Sequence, residues 1–417
     1  MTNGRRGEDL RRKPRAGRAV CQVMGASHAI YTFDDMTWAA AQRRGMCFPQ
    51  DQLVLAMLRD PGIERLLICD RPRSAPVKFA KDLVTRPVRF ETDERARLWQ
   101  PLRLRRQDPT GLPALRRAYA AYDRRLRRAA ERAGLVRPAV ITSQPLLAGF
   151  AELEWAGPVT LYASDDLAAH RDYQPWREGL LAAYREVAQR GRRVCAVSRA
   201  ILERIDTPGP AEVVPNGVDP GLWVEPGPPP SWFAELRGPR FLYVGTLDDR
   251  IDAAALRSVA RAWPEGSVVL AGPLADRAHL GPILAEPNVV YHGPVAREQV
   301  AALAHAADAC LVPHRRTPLT EAMSPLKLYE YLASGTPTVA TDLEPVRRVD
   351  GPVLRVPPGG DFVAGLRLAL AAGRTGEADR RRFIAANSWS ARTAKVLALA
   401  LGDEVQAVPL EEAVAEK

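Results

Sequence analysis

The chain predicts an α/β protein of two open parallel sheets that face each other across a cleft. Three observations predict it. Short apolar runs alternate with helical stretches over residues 19–222, and the alternation restarts over residues 240–386; strands alternating with helices mean parallel sheets with both faces covered. Between the two lies the stretch 223–239, which contains Pro226-Gly227-Pro228-Pro229-Pro230. It is too stiff and too poor in N–H donors for a helix or a central strand and reads as a linker. At 417 residues and 46% hydrophobic, the chain can bury two substantial cores.

Each element follows from its local pattern. In the first half, residues 29–33 and 65–69 read as strands and 51–58 as a helix. An Arg-rich amphipathic helix over 115–133 precedes a strand at 139–142, and the strand 159–162 runs into Ser164-Asp165-Asp166. A helix at 180–189 leads to the strand 193–197, whose following Ser198 can cap a helix over 199–204. Residues 213–217 form a strand entering a turn at Asn216-Gly217, where a structural turn is the first reading and cleft lining the second. In the second half, 241–245, 268–272 and 289–293 are strands ending in Gly245, Gly272 and Gly293. Ligands collect at the carboxyl ends of strands in open α/β sheets, so these glycines mark the binding side.

Composition narrows the class. Five scattered Cys, with no C-x-x-C and no matching His pairs, argue for a reduced protein without a zinc site or disulfide framework. No apolar run approaches 18 residues, so no membrane span is expected. Residues 1–18 are basic but lack the apolar region of a signal peptide and read as a disordered tail; residues 404–417 read as an acidic tail. The net charge of +10 suits nucleic acid, an anionic lipid surface or acidic small substrates. With 6% aromatics and no recognised nucleic-acid module, nucleic acid is not expected.

The most informative segment is 323–337. Ser324 suits an N-cap, Pro325 the first helical position, Gly335 a left-handed C-cap, and Pro337 forbids continuation. Apolar strands at 309–313 and 338–341 flank it. A strand, a loop and a helix N-terminus make an anion site. Lys327 and Glu330 lie three apart on one helical face, placing an ammonium by a phosphate and a carboxylate by ribose hydroxyls. The alternative is an exposed pair contributing a few tenths of a kcal/mol. Only six of the 59 basic residues are Lys, so a Lys here points to a site that wants a compact ammonium.

With these residues in view, the chain resembles the GT-B glycosyltransferases, two Rossmann-like domains facing a cleft. The resemblance runs from about residue 140 to 400 and rests on Val214-Pro215-Asn216-Gly217-Val218-Asp219, Tyr243-Val244-Gly245, Ala271-Gly272-Pro273, His292-Gly293 and the segment 323–341. The Ser-Pro-Leu-Lys-Leu-Tyr-Glu-Tyr-Leu form looks like teichuronic-acid-type and xanthan-type enzymes. One departure stands out. The family commonly carries two glutamates separated by seven residues; the second maps to Glu330, but the first position is Ala322, with Glu321 one place out of register.

The resemblance implies transfer of a sugar from a nucleotide diphosphate sugar, most simply a uridine one, to a hydroxyl acceptor such as a lipid-linked or envelope glycan. Donor binding falls to Gly245, Gly293, Ser324, Lys327 and Glu330, with Arg315 and Arg316 nearby to stabilise the leaving diphosphate. No D-x-D motif is found, and neither a metal nor any other cofactor is expected. The base of an inverting reaction is expected from Asp165 or Asp166, two adjacent carboxylates able to push one pKa upward; a helix N-cap pair is the alternative, and His170 a further candidate base. On the acceptor side, Trp38, Arg44 and Gly45 lie in a loop after the first strand. The basic run Arg103, Arg105 and Arg106 and the overall charge permit peripheral binding to an anionic leaflet at the inner face of the cell membrane. GT-B chains usually end in a helix packed back on the first domain, here residues 387–403. A nucleotide-sugar 2-epimerase and a non-catalytic binding protein are the alternative readings.

Overall fold

The computed structural model describes residues 27–82, 90 and 94–402, so the two expected tails lie outside the described residues. The first sheet has seven parallel strands, β1 (His28–Thr32), β2 (Arg65–Cys69), β3 (Ala96–Trp99), β4 (Ala139–Thr142), β5 (Val159–Ala163), β6 (Arg193–Ala196) and β7 (Ala211–Val213), in the order β3-β2-β1-β4-β5-β6-β7. The second has six, β8 (Arg240–Val244), β9 (Ser267–Ala271), β10 (Val289–Gly293), β11 (Ala309–Val312), β12 (Thr338–Thr341) and β13 (Val353–Val356), in the order β10-β9-β8-β11-β12-β13. The central strands β4, β6, β11 and β12 are buried along their whole length. Strands covered on both faces read as continuous apolar runs rather than alternating ones, which is why they were legible. The expected helices over 51–58, 115–133 and 180–189 are present as Pro49–Arg59, Leu112–Arg132 and Arg177–Gln189.

The stretch 223–239 does more than link. Trp223 and Phe233, 1% and 0% exposed, belong to the core of the second domain beside Leu242 and Leu328. A one-turn helix, Ser231–Ala234, forms directly after Pro230, where the proline holds its own backbone extended and costs the first turn no hydrogen bond.

The chain then crosses back. The last helix, Trp389–Leu401, lays Val396, Leu397 and Ala400 against Tyr31, Ile68 and Cys195 of the first domain. Arg193 on β6 closes its far end, donating to the carbonyls of Leu399, Ala400 and Gly402 at 2.9, 3.3 and 2.7 Å. A buried guanidinium on the last carbonyls satisfies groups that lack intrahelical partners and meets the negative end of the dipole. Arg193→Ala therefore costs on the order of 2 kcal/mol, the range for bonds to a charged donor. Thermal melting checks it: Arg193→Ala should melt below wild type, with Arg193→Lys between, and an unchanged midpoint would show that the strap does not need this cap.

Candidate active site

The carboxyl ends of β1, β4 and β5 face those of β8, β9 and the loop after β11 across a cleft of about 830 Å³. Lys327 is on the second wall. The helix carrying it spans Leu326–Ser334 and ends at Gly335 in the left-handed conformation, as expected. Its start differs from expectation. Pro325, not Ser324, holds the N-cap place, and no side chain caps the helix. A residue before proline is driven to extended backbone, and the Ser324 hydroxyl instead accepts the Asn216 N–H at 3.1 Å while the Asn216 amide donates to the Ser324 carbonyl at 2.6 Å. The first turn is left open toward the cleft, which suits an anion better than a capped helix would.

Three glycines nest this wall. Gly245 and Gly272 adopt φ of 141° and 143°. A Cβ on Gly272 would fall 2.0 Å from the Gly245 carbonyl oxygen, and one on Gly245 would meet the Lys327 Cε at 3.0 Å. Only glycine lets the strand ends stack with the lysine stem laid over them. Gly293 does not line the cleft; its carbonyl accepts the Gly272 N–H at 2.8 Å and so sets the stack from below.

The Lys327 ammonium sits 5.0 Å from the centre of the Tyr243 ring and 3.5 Å from His314 Nε2. Burial, and then the nearby Arg250 guanidinium, lower its pKa to about 8, against the pull of Glu330 and Asp248. His314 is driven well below its ordinary value by burial and by Lys327, so it is neutral and able to accept from the ammonium. Glu330, 4% exposed, is paired with Arg297.

Arg315 and Arg316 are not part of this wall. Both are exposed; Arg315 reaches the Asp249 carbonyl, and Arg316 reaches the Asp342 carbonyl and Glu321. The buried turn at His314 carries their side chains outward. Their expected place is taken by Arg250, held by Asp248 at 2.7 Å, and by Arg297. Both had a signal in the chain: Arg250 follows Gly245 by five residues and Arg297 follows Gly293 by four. Glu321 is turned away, accepting the Glu344 N–H at 2.8 Å, and Ala322 is buried with its carbonyl bonded by Ser198.

On the first wall the expected acid pair separates. Asp165 lines the cleft; burial raises its pKa, while His170 and the Arg250 of the opposite domain act against the rise. Asp166 is fully buried behind it, 3.1 Å from Arg204 Nε. Burial raises Asp166 as well, with Arg204 and the N–H groups of Ala169 and Ala168 opposing, so it serves the turn and not the cleft. His170 lines the cleft but its Nδ1 accepts the Asp172 N–H. Asp34, after β1, also lines the cleft and was missed, although Asp34-Asp35 repeats the strand-end signal of Asp165-Asp166.

Trp38 is a core residue, 4% exposed and edge-on to Phe90, because the short helix Trp38–Arg43 turns it under the sheet. Arg44 does line the cleft, locked to Asp51 at 2.7 Å and lying 4.2 Å over the Phe48 ring. Gly45, at φ 78°, turns the chain next to Arg297 of the second domain. Cys47, Cys69, Cys195 and Cys310 are free thiols. Among the described residues no group of three or more His, Cys, Asp or Glu could hold a metal ion, and no helix is long and apolar enough to cross a membrane.

Two facing Rossmann-like domains built on parallel sheets are the GT-B architecture. The chain belongs to the GT-B glycosyltransferases: the family described as glycosyl transferases group 1 matches residues 238–370, and glycosyltransferase family 4 matches residues 57–222. A teichuronic acid biosynthesis glycosyltransferase, TuaH, of Bacillus subtilis (strain 168) is 25% identical over 253 residues, 57% of this chain and 62% of that protein. The match thus spans less than two thirds of the relative's length. Sucrose-phosphate synthase from Thermosynechococcus elongatus superposes with a TM-score of 0.61 at 18% identity, covering 88% of this chain and 97% of that one. The E. coli trehalose-6-phosphate protein bound with UDP-2-fluoro glucose gives 0.65 at 12% identity, covering 91% and 99%. At such identities these two establish the fold alone.

The Lys327 environment sets a pH dependence. In the empty site the ammonium loses its proton near pH 8; a diphosphate beside it favours the charged form and raises that pKa. Below about pH 8 binding takes up no proton at Lys327, and above it binding must, so affinity falls as pH rises through that value. Calorimetry with UDP should show tighter binding at pH 7 than at pH 9, and Lys327→Ala should weaken binding at pH 7 roughly 10–100-fold, the worth of one or two charge-assisted bonds, and flatten the fall. Equal pH profiles for both proteins would remove Lys327 from the grip.

Proposed function

We propose that the protein is a glycosyltransferase that moves a sugar from a nucleoside diphosphate sugar, with uridine the expected base, to a hydroxyl acceptor of the envelope-glycan type. The observation that carries this is the uncapped helix N-terminus with the half-buried Lys327 ammonium, facing carboxylates at the strand ends of the opposite domain. Lys327, the helix N-terminus and Arg250 offer the positive charge that a departing diphosphate needs, in a site shielded from water. On this reading turnover persists in a chelator. Glu330 is suited to ribose hydroxyls once it shares them with Arg297.

The reaction is proposed to invert the anomeric centre. A sugar-side carboxylate at the first family position is missing, with Ala322 there and Glu321 turned away, while the first domain supplies carboxylates on the acceptor side. The TuaH relative, by its name in teichuronic acid biosynthesis, supports an acceptor that belongs to an envelope glycan, handled at the inner face of the cell membrane. Leu104, 86% exposed, adjoins the exposed Arg105 and Arg106 in the chain, and Phe79 is 61% exposed. Leu104 lies next to the start of the Ala75–Asp82 helix that carries Phe79, since the Ser74 hydroxyl donates to its carbonyl. Apolar side chains among arginines suit an anionic leaflet.

Three outcomes test these statements. Incubation with a panel of UDP, GDP and ADP sugars should give slow hydrolysis of at least one, with inverted configuration in the first-formed product by NMR; no turnover and no nucleotide binding would refute the enzyme reading. Asp165→Asn should lower turnover about tenfold or more with nucleotide affinity kept. Asp166→Asn should instead lower stability by about 1–3 kcal/mol, and the reverse pattern would exchange their roles. Flotation with phosphatidylglycerol vesicles should be salt-sensitive and lost in Leu104→Ser/Phe79→Ser; binding that ignores both would place the membrane contact elsewhere.

A further inference from the structure

Asp34 has an arrangement that the reading of the cleft above does not yet use. It follows β1, is 8% exposed and lines the cleft on the wall opposite Lys327 and Arg250. Its Oδ1 accepts the Asp35 N–H at 2.6 Å. Its Oδ2 accepts from Gln50 Nε2 at 3.2 Å, and the same nitrogen donates to the Ser164 hydroxyl at 2.7 Å. The Gln144 amide donates to the Asp34 carbonyl at 3.3 Å. Gln50 and Gln144 thus tie the ends of β1, β4 and β5 together around this one carboxyl group.

Its amide partners are neutral, and its other neighbour is the Asp35 carboxyl, a second acid rather than a cation. Asp51, Asp166, Asp248 and Glu330 are each paired with an arginine, and Asp165 feels His170 and Arg250. Among the described residues no cation lies within ion-pair distance of Asp34, and the strongest charge acting on it is that of Asp35. A carboxylate neutralised by an arginine is a poor proton acceptor; one held by amides beside a second carboxyl keeps its basicity. Burial, followed by Asp35, raises Asp34 to about 8, which agrees with that placement.

We propose that Asp34 takes the proton from the acceptor hydroxyl. The inference rests on the glycosyl-transfer reading above. As the acceptor oxygen bonds to the anomeric carbon, its proton passes to Asp34 Oδ2, which accepts from Gln50 at 3.2 Å. The bond from the anomeric carbon to the diphosphate oxygen breaks, and its electron pair leaves on the diphosphate, beside Lys327 and the helix N-terminus. Asp34 then returns the proton to solvent.

The test uses the full chain and whichever nucleotide sugar of the panel the wild type hydrolyses, with water as acceptor. Asp34→Ala and the isosteric Asp34→Asn should each slow hydrolysis about 10²–10⁴-fold, the usual contribution of a general base. The affinity for the matching nucleoside diphosphate should stay within about twofold, since the group lies on the other wall. Sodium azide, a nucleophile with no proton to lose, should restore turnover of Asp34→Ala and yield the glycosyl azide and free nucleoside diphosphate. Hydrolysis within about tenfold of wild type, loss of rate without azide rescue, or a parallel loss of nucleotide affinity would each overturn the proposal. A wild-type chain that binds no nucleotide and hydrolyses no sugar of the panel removes the glycosyl-transfer reading itself, and this inference with it.

Discussion

The half-buried ammonium of Lys327 is the constraint around which the cleft wall of the second domain is arranged. An ammonium taken out of water costs several kcal/mol unless dipoles, rings or charges replace its hydration. Here the replacements are the Tyr243 ring, the neutral His314 and the more distant Glu330 and Asp248. None of them can be reached unless the lysine stem lies directly on the end of β8. That contact requires Gly245, and the position of Gly245 requires Gly272, whose missing Cβ would otherwise overlap the Gly245 carbonyl. Three strand ends are therefore set by one side chain. The same side chain stays partly deprotonated near pH 8, which leaves the site unsatisfied until an anion arrives.

The seam between the domains follows from the same helix. Its N-terminus stays open because Asn216 has engaged both the hydroxyl and the carbonyl of Ser324. Ser198 holds the Ala322 carbonyl one turn earlier, and Gly45 brings the first domain close to Arg297. Asn216-Gly217, expected as a turn, thus works as a clasp. Arg193 closes the opposite side of the molecule by capping the returning helix. A cleft between two domains can be wide or narrow; these contacts make this one narrow enough for Asp165 and Arg250 to feel each other.

The strands were legible because a parallel strand buried on both faces needs an unbroken apolar run, and a run ending in glycine marks the ligand side. Lys327 and Glu330 were legible because helix periodicity puts them on one face. Arg315 and Arg316 were misplaced because a loop has no period: the turn at His314 reverses their direction, and nothing local states it. Arg250 and Arg297 lie in loops of the same kind. They become cleft residues only through the stacking of Gly245, Gly272 and Gly293, a contact between segments far apart in the chain. Trp38 went wrong for the opposite reason. An aromatic in a presumed loop looked available, but a single helical turn was enough to bury it. Ser324 was read by the rule for caps, and the rule lost to a partner 108 residues away.

What separates structural charges from working ones in this cleft is the company each keeps. Arginine dominates the cations of the chain, and four at the cleft are committed: Arg44 to Asp51, Arg103 to Asp108, Arg250 to Asp248 and Arg297 to Glu330. A planar fork fits a carboxylate and holds it, which is what a strut requires. Lys327 and Asp34 differ from these. Among the described residues neither has an opposite charge within ion-pair distance, and each has a like charge nearby, Arg250 for Lys327 and Asp35 for Asp34. Burial without a counter-charge is unfavourable in the empty protein, and it moves both pKa values toward neutrality from opposite sides, to about 8 in each case. A ligand that brings negative charge to one wall and a removable proton to the other relieves both at once. A nucleoside diphosphate sugar with a hydroxyl acceptor is such a pair of ligands, and the unsatisfied charges stand on the two sides from which they would meet.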